Sequence, residues 1–496
     1  VPSSSSQSAS APEQAKFVTG SPMKHIMVMS GTGAIGLMAL FLVDLLDMFF
    51  ISLLGEVELA AAIGFAGTLI FFSTSVSIGT SIAMGALVSR ALGANEAEKA
   101  RQLTVNVMIF AVIICAILVS LMLWQLPQLL AMIGATGNVA AAATDYLVIL
   151  LPSAPFIAIS MSAGAALRGI GDARRSMIAT LIGGGVNAVL DPLFIFGLSM
   201  GMEGAAIASV FARLAVMIYS LHAVIVHHNL IARPQLGAFF RSLATISAIA
   251  FPAILTNTAT PIGNAIVTSQ IAQFGESYVA GYAVIGRIMP VTFALVFSLS
   301  GAIGPIIGQN FGAGRWDRIS RSLSDALIFV SLYCVLVSAI LWFLQDHLIA
   351  LFSLQGDAAT LLSVFCSYVA ITFIFNGALF VSNAAFNNLN RPTWSTALNM
   401  GKATLGTIPF VWLGGLWGGA SGVLIGQAIG GMVFGCLGVW LVRRQVLCMA
   451  RAHERREQQD VLEPSVPLTP FCSSRTYMGQ EDAVDEPFVE PKQSHS

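Results

Sequence analysis

The chain has 496 residues, 56% hydrophobic and only 10% charged, with a formal net charge of −1. Soluble domains carry about 25% charged residues, so the composition reads as an integral membrane protein, and a near-neutral balance offers nothing to nucleic acid. A mean hydropathy of +0.80 and long Leu/Ile/Val/Ala/Phe runs point to an all-α architecture, because barrel strands would alternate weakly over about ten residues.

Residues 1–24 begin VPSSSSQSASAPEQAKFVTGSP, a Ser-rich stretch without the apolar core of a cleavable signal. It is expected to be a disordered cytoplasmic tail, with the first span acting as its own signal anchor. Twelve apolar stretches long enough to cross a bilayer follow, near 26–54, 62–88, 104–126, 144–166, 176–199, 203–226, 243–271, 279–307, 323–344, 360–386, 395–416 and 418–442. They divide into an N-terminal six-helix lobe (25–228), a cytoplasmic linker (229–242) and a C-terminal six-helix lobe (243–444). The tail 445–496 turns polar and acidic and is expected to be cytoplasmic and largely disordered. Cys115, Cys334, Cys366, Cys436, Cys448 and Cys472 form no CxxC pair and read as free thiols.

Orientation follows from the basic residues. The even-numbered connections carry Arg90, Lys99, Arg101, Arg168, Arg174, Arg175, Arg233, Arg241, Arg315, Arg318, Arg321 and Arg391, whereas the odd-numbered ones carry Glu56, Glu58, Glu203, Glu276, Asp346 and Asp357 without a Lys or Arg. The positive-inside rule then places the basic loops and both termini in the cytoplasm.

Within the first span, FLVDLLDMFF sets Asp44 and Asp47 among apolar residues. An Asp at the centre of a spanning helix costs about 2.5–3.5 kcal/mol on insertion scales, so such acids usually serve a purpose. Downstream, SRALGANEAEKARQL (89–103) resembles GQNFGAGRWDRISRSL (308–323), and aligning Gly93 with Gly312 gives an offset of 219 residues. The same offset sets ALRGIGDARRS (166–176) over FNNLNRPTWST (386–396). Six spans per half is an even number, so the two bundles enter the membrane alike, a parallel internal repeat of the kind secondary transporters use. Asn95 and Glu98 also have capping-box spacing for a helix starting at Glu96.

These stretches, together with VDLLDMFFISLLGEVELAAAIGF and NAVLDPLFIFGLSMGMEGAAIAS, resemble the multidrug and toxic compound extrusion (MATE) transporters over about residues 25–445, nearest to their DinF-like branch. The resemblance implies two six-helix lobes around a central cavity and export of organic compounds in exchange for Na+ or H+. It also implies a cation site in the first lobe, which by motif falls on Asp47, Asn187, Asp191 and Ser209. The residues themselves agree. Asn187 and Asp191 share a helical face at i and i+4, and Pro192 has no N–H, which frees the carbonyl of Ala188. Carboxylates, an amide oxygen and a hydroxyl are hard ligands, suited to a cation or to a shared proton.

Asp44 is expected to extend the ion path or to line the cavity. Arg287, Asn257, Asn376, Asn383 and Met289 are further candidates for the pathway, and Arg213 and Lys402 are intramembrane cations that would bond to carbonyls or snorkel. The hydroxyl-rich stretch FFSTSVSIGTS (71–81) would line the path or permit close helix packing. The repeat partners of Asp47 and Asp191 fall near Val267 and Pro409, so no acidic site is expected in the second lobe. No P-loop, nucleophile constellation or metal-ligand spacing appears, so no enzyme and no cofactor are expected. The reading is a monomeric, multi-pass exporter of small organic molecules in a bacterial inner membrane, coupled to H+ or Na+. A lipid-linked oligosaccharide flippase of related architecture is the alternative, and a channel or receptor stands further off.

Overall fold

The computed structural model describes residues 15–52 and 57–462, the side chains at 44–45, 47–49, 51–52, 57–58, 60, 456–457 and 459–462 excepted. The first bundle comprises α1 (Pro22–Ser52), α2 (Val57–Gly93), α3 (Ala97–Trp124), α4 (Leu126–Met132), α5 (Gly137–Leu150), α6 (Ala154–Ile170), α7 (Ala173–Pro192) and α8 (Gly201–His222). The second comprises α9 (Leu236–Ala272), α10 (Glu276–Thr292), α11 (Ala294–Gly312), α12 (Trp316–Leu351), α13 (Gly356–Val364), α14 (Phe373–Asn388), α15 (Pro392–Ala403) and α16 (Ile408–Leu462). Short breaks divide some crossings, so α5 with α6, α10 with α11, and α13 with α14 each make one.

The last apolar stretch, Pro392–Arg455, is 64 residues long and contains two crossings. The chain reverses at Gly418 and Gly419, whose φ of −136° and +59° leave the helical region. The arms of this hairpin meet backbone to backbone. A β-carbon at Gly414 would lie 2.0 Å from the Gly422 carbonyl oxygen, one at Gly426 2.1 Å from that of Phe410, and one at Gly430 1.5 Å from that of Gly406. Small residues permit such approach between spanning helices. Among the described residues the crossings therefore number twelve.

The repeat is visible in the backbone. Asn95 and Gly314, Gly134 and Ser353, Gly137 and Gly356, and Gly171 and Asn390 all take left-handed φ, and the members of each pair are 219 residues apart. On the basic face the turns share one helix-ending bond, in which Glu96 N–H donates to Ala91, Asp172 to Leu167, Arg315 to Asn310 and Arg391 to Phe386. These are Schellman closures with Gly or Asn in the left-handed seat. The capping box expected at Asn95 is accordingly not formed. Asn95 has φ +62°, which ends α2, and no side chain caps α3. Asp172, by contrast, caps α7 by accepting from the Arg175 N–H at 3.2 Å.

Order extends further than the polar flanks suggested. The disordered tail expected through residue 24 does not hold for its last ten residues, because Lys16–Val18 form a 3-10 turn and Phe17 is 2% exposed. At the other end α16 continues past residue 444 to Leu462. The described residues from Cys448 onward, Cys448–Leu462, are the charged end of that helix.

The bundles meet along α1–α11, α2–α9 and α2–α11. A β-carbon at Gly93 would stand 2.0 Å from the Gln309 carbonyl oxygen, one at Gly312 2.1 Å from that of Arg90, and one at Gly79 2.9 Å from the Ile254 nitrogen. Ser298 Oγ donates to the Ser30 carbonyl at 2.9 Å, and Ser89 Oγ donates to Asn388 Oδ1 at 3.4 Å. Arg90 Nη1 donates to Asn390 Oδ1 at 3.1 Å. Among the described residues, these inter-bundle bonds lie in the half of the membrane next to the basic loops. The bundles are packed tightly together on that face.

Candidate functional site

The polar centre of the first bundle sits where glycines let α1, α7 and α8 approach. A β-carbon at Gly183 would lie 2.3 Å from Val216 Cγ2, and one at Gly204 2.8 Å from the Phe194 carbonyl carbon. These contacts run α7 antiparallel to α8 and bring Ser209 to the level of Asn187 and Asp191. Gly184 approaches Val43, its β-carbon 3.0 Å from Cγ2, and the rings of Phe50 and Phe196 meet edge to face at 6.3 Å. Position 47 of α1, between Val43 and Phe50, is thereby level with the same pair.

Asn187 and Asp191 are 3% and 0% exposed. Asn187 Nδ2 donates to Asp191 Oδ2 at 2.8 Å, as their i, i+4 spacing requires. Pro192 closes α7, and a π-helical turn, Leu193–Gly197, follows. The missing proline N–H removes one bond of the ladder, and the wider turn accommodates the loss. Backbone carbonyls and a buried carboxylate are thus concentrated at one depth. Ser209 is half-buried on α8. The expectations for Asp44 and Asp47 concern side chains that lie outside the described residues.

The second-bundle candidates do not gather into one site. Asn257 Nδ2 donates to the Ala253 carbonyl of its own helix at 2.8 Å. Asn383 is buried on α14, Met289 is half-buried and Arg287 is exposed on α10. Asn376 instead receives the ammonium of Lys402, beside a break in the eleventh crossing at residues 404–407, where Thr407 Oγ donates to the Lys402 carbonyl at 2.8 Å. A cation near the carbonyl end of α15 suits the helix dipole. Arg213 is satisfied within the first bundle by the Leu150 carbonyl at 3.3 Å and Ser153 Oγ at 2.9 Å. Along 71–81 the hydroxyls bond back to their own helix, Ser75 to Phe71 and Thr80 to Val76, and Gly79 packs on α9. Close packing explains that stretch.

The seal itself was missed by sequence reasoning. Gln309 and Asn310 are fully buried; Gln309 Nε2 donates across the seam to the Gly169 carbonyl at 2.7 Å. Their signal was present in the repeated loops GQNFGAGRWDR and ALRGIGDARRS.

This arrangement, two repeated six-helix bundles joined on one face with a buried carboxylate in one of them, defines a membrane transporter. A model of the MatE family matches residues 34–193 and 252–413, once per bundle and within one residue of the 219-residue offset at each boundary. The chain therefore belongs to the MATE family, whose members are transporters and not enzymes. It is 27% identical over 430 residues to an FAD transporter of Shewanella oneidensis, covering 85% of this chain and 95% of that protein. It is 23% identical over 376 residues to the multidrug export protein MepA of Staphylococcus aureus, covering 74% and 82%. Its fold matches a Vibrio cholerae MATE transporter with a TM-score of 0.82 at 24% identity, covering 86% and 97%. It also matches the outward-facing conformation of a multidrug resistance MATE family transporter, again at 0.82, with 22% identity and 88% and 99% coverage.

Proposed function

We propose that this protein exports small organic compounds in exchange for H+ or Na+, by alternating access between its two bundles. The observation that carries this reading is the buried Asn187–Asp191 pair on α7, level with position 47 of α1 and beside a π-helical turn. Asp47, Asn187, Asp191 and Ser209 form the coupling site, with Asp44 lining the approach. Burial at this depth favours a carboxylate that shares a proton or a bound cation over a bare negative charge. Two such carboxylates brought together resist joint ionisation, which suits the site to a shared proton as well as to Na+.

The basic loops and both termini face the cytoplasm of a bacterial cell under the positive-inside rule, so the sealed face is the inner one and the structure faces outward. The protein works as a monomer in the inner membrane, belongs with the DinF-like branch and needs no resident cofactor; its partners are substrate, cation and lipid. The names of its relatives, an FAD transporter and a multidrug export protein, support a substrate range of organic compounds and disfavour a lipid-linked oligosaccharide flippase. One elementary charge gains about 2.3 kcal/mol per 100 mV, and a total driving force of ~3 kcal/mol supports a substrate ratio of a little over a hundredfold.

Everted vesicles with an imposed pH or Na+ gradient test this reading, with a fluorescent organic cation and FAD as separate probes. Wild type is expected to accumulate a probe only with a gradient, and Asp47→Asn and Asp191→Asn to lose that accumulation. Normal accumulation in both variants overturns the coupling assignment.

A further inference from the structure

Residues 15–20, just ahead of α1, lie across the seam between the bundles. Phe17 is 2% exposed, and its N–H donates to Gln309 Oε1 at 2.8 Å. The Phe17 carbonyl accepts from Asn310 Nδ2 at 3.2 Å and from Arg318 Nη2 at 3.0 Å. The same Arg318 nitrogen reaches the Thr19 and Gly20 carbonyls at 3.1 and 3.0 Å, and its Nε donates to Asn310 Oδ1 at 3.0 Å. These partners belong to the second bundle. On the other side, a β-carbon at Gly171 of the first bundle would lie 3.1 Å from the Phe17 Cζ and 3.1 Å from the Lys16 Cδ, so the ring seats on the α6–α7 turn. His25 meets the ring edge-on at 5.2 Å, and its Nε2 is 2.9 Å from the Thr19 carbonyl oxygen.

We infer that this segment is a latch that holds the two bundles together on the basic face and must leave its seat before that face opens. Gln309 shows why. One end of its amide takes the Phe17 N–H and the other donates to Gly169 of the first bundle, so latch and seam share one buried side chain. The Arg318 guanidinium supplies a fork that one ammonium cannot match, and a buried aromatic ring adds apolar area on the sealed side only. Because these contacts exist only while the bundles are joined, they favour the sealed arrangement by their differential energy. The inference rests on the alternating-access reading and goes beyond it in giving the start of the chain a part in the cycle.

The test measures populations by spin labels at Glu96→Cys and Asp317→Cys, exposed positions in the α2–α3 turn and the first turn of α12, in the full chain with its native cysteines replaced by serine. Replacing residues 15–20 by an equally long Gly-Ser segment is expected to raise the long-distance population about tenfold or more. Phe17→Ala and Arg318→Lys are each expected to give a smaller rise of the same sign. Gly93→Ala, which wedges the seam directly, serves as the reference. If Gly93→Ala opens the face and the latch replacement leaves the distances unchanged, the latch is refuted. If neither variant yields a second population under any cation condition, alternating access between these bundles is refuted, and the latch with it.

Discussion

Substituting Gly93 by alanine places a methyl group where the opposite bundle already stands. Its β-carbon would be 2.0 Å from the Gln309 carbonyl oxygen and 2.7 Å from the Gln309 carbonyl carbon. Ordinary contact begins at about 3.5 Å, so α2 and α11 must part by roughly 1.5 Å, and the obstacle is backbone, which has no rotamer by which to yield. Overpacking of this kind costs about 1–3 kcal/mol. The cost falls on the sealed arrangement alone, since the contact is lost once the bundles part there. The sealed-to-open ratio should therefore drop about five- to 150-fold. Pulsed dipolar spectroscopy on the Glu96→Cys and Asp317→Cys labels reads that ratio. Gly312→Ala, whose β-carbon would be 2.1 Å from the Arg90 carbonyl oxygen, should behave alike, and Gly31→Ala, with nothing within 4 Å, should change nothing. Unchanged distances in both seam variants would refute the reasoning.

Other outcomes follow from single contacts. Asp191→Asn, isosteric and fully buried, should keep the fold and abolish stabilisation by the coupling cation, which for wild type at a hundredfold excess over Kd amounts to about 2.7 kcal/mol; thermal unfolding with and without Na+, and across pH, checks this. Gly430→Val should unseat the terminal hairpin at about 3 kcal/mol or more, whereas Gly418→Ala, with φ −136° and open space around it, should be tolerated; thermal melting of the two in detergent distinguishes them. For Asp172, burial alone would raise the carboxyl pKa, but hydrogen bonds from His228 at 2.8 Å and from the Arg175 side chain and N–H outweigh burial and hold it well below the usual carboxylate range. Its stabilisation is thus present at neutral pH and is lost as pH falls below about 4, toward and through the depressed folded value. The melting difference between wild type and Asp172→Asn should shrink in that acidic window.

Much of the architecture was legible from the chain because lipid imposes a simple code. Apolar length marked the crossings, basic residues marked one face, and a 219-residue recurrence reappears as left-handed turns at Asn95 and Gly314 and at Gly171 and Asn390. The Asn187–Asp191 contact was also legible, since a helix dictates which residues share a face. Contacts decided between distant segments were not. The seat of Phe17 joins positions 292 residues apart, and no local pattern predicts that a polar tail will bury an aromatic ring. Asn95 carried the residue type and spacing of a cap, yet the need to end α2 in a left-handed turn prevailed. The break after Ala403 escaped notice because Thr404–Thr407 contain no proline, and hydrogen bonds to the carbonyls of Gly401 and Lys402 hold it.

The central claim is that ion occupancy of the first-bundle acid site decides which face of the transporter is open. The most direct measurement is the inter-label distance on the basic face, titrated with H+ and with Na+ in wild type and in Asp191→Asn reconstituted in lipid. The account predicts that one of these ions moves the wild-type populations and leaves those of Asp191→Asn fixed. Superimposable titrations of the two proteins would contradict it.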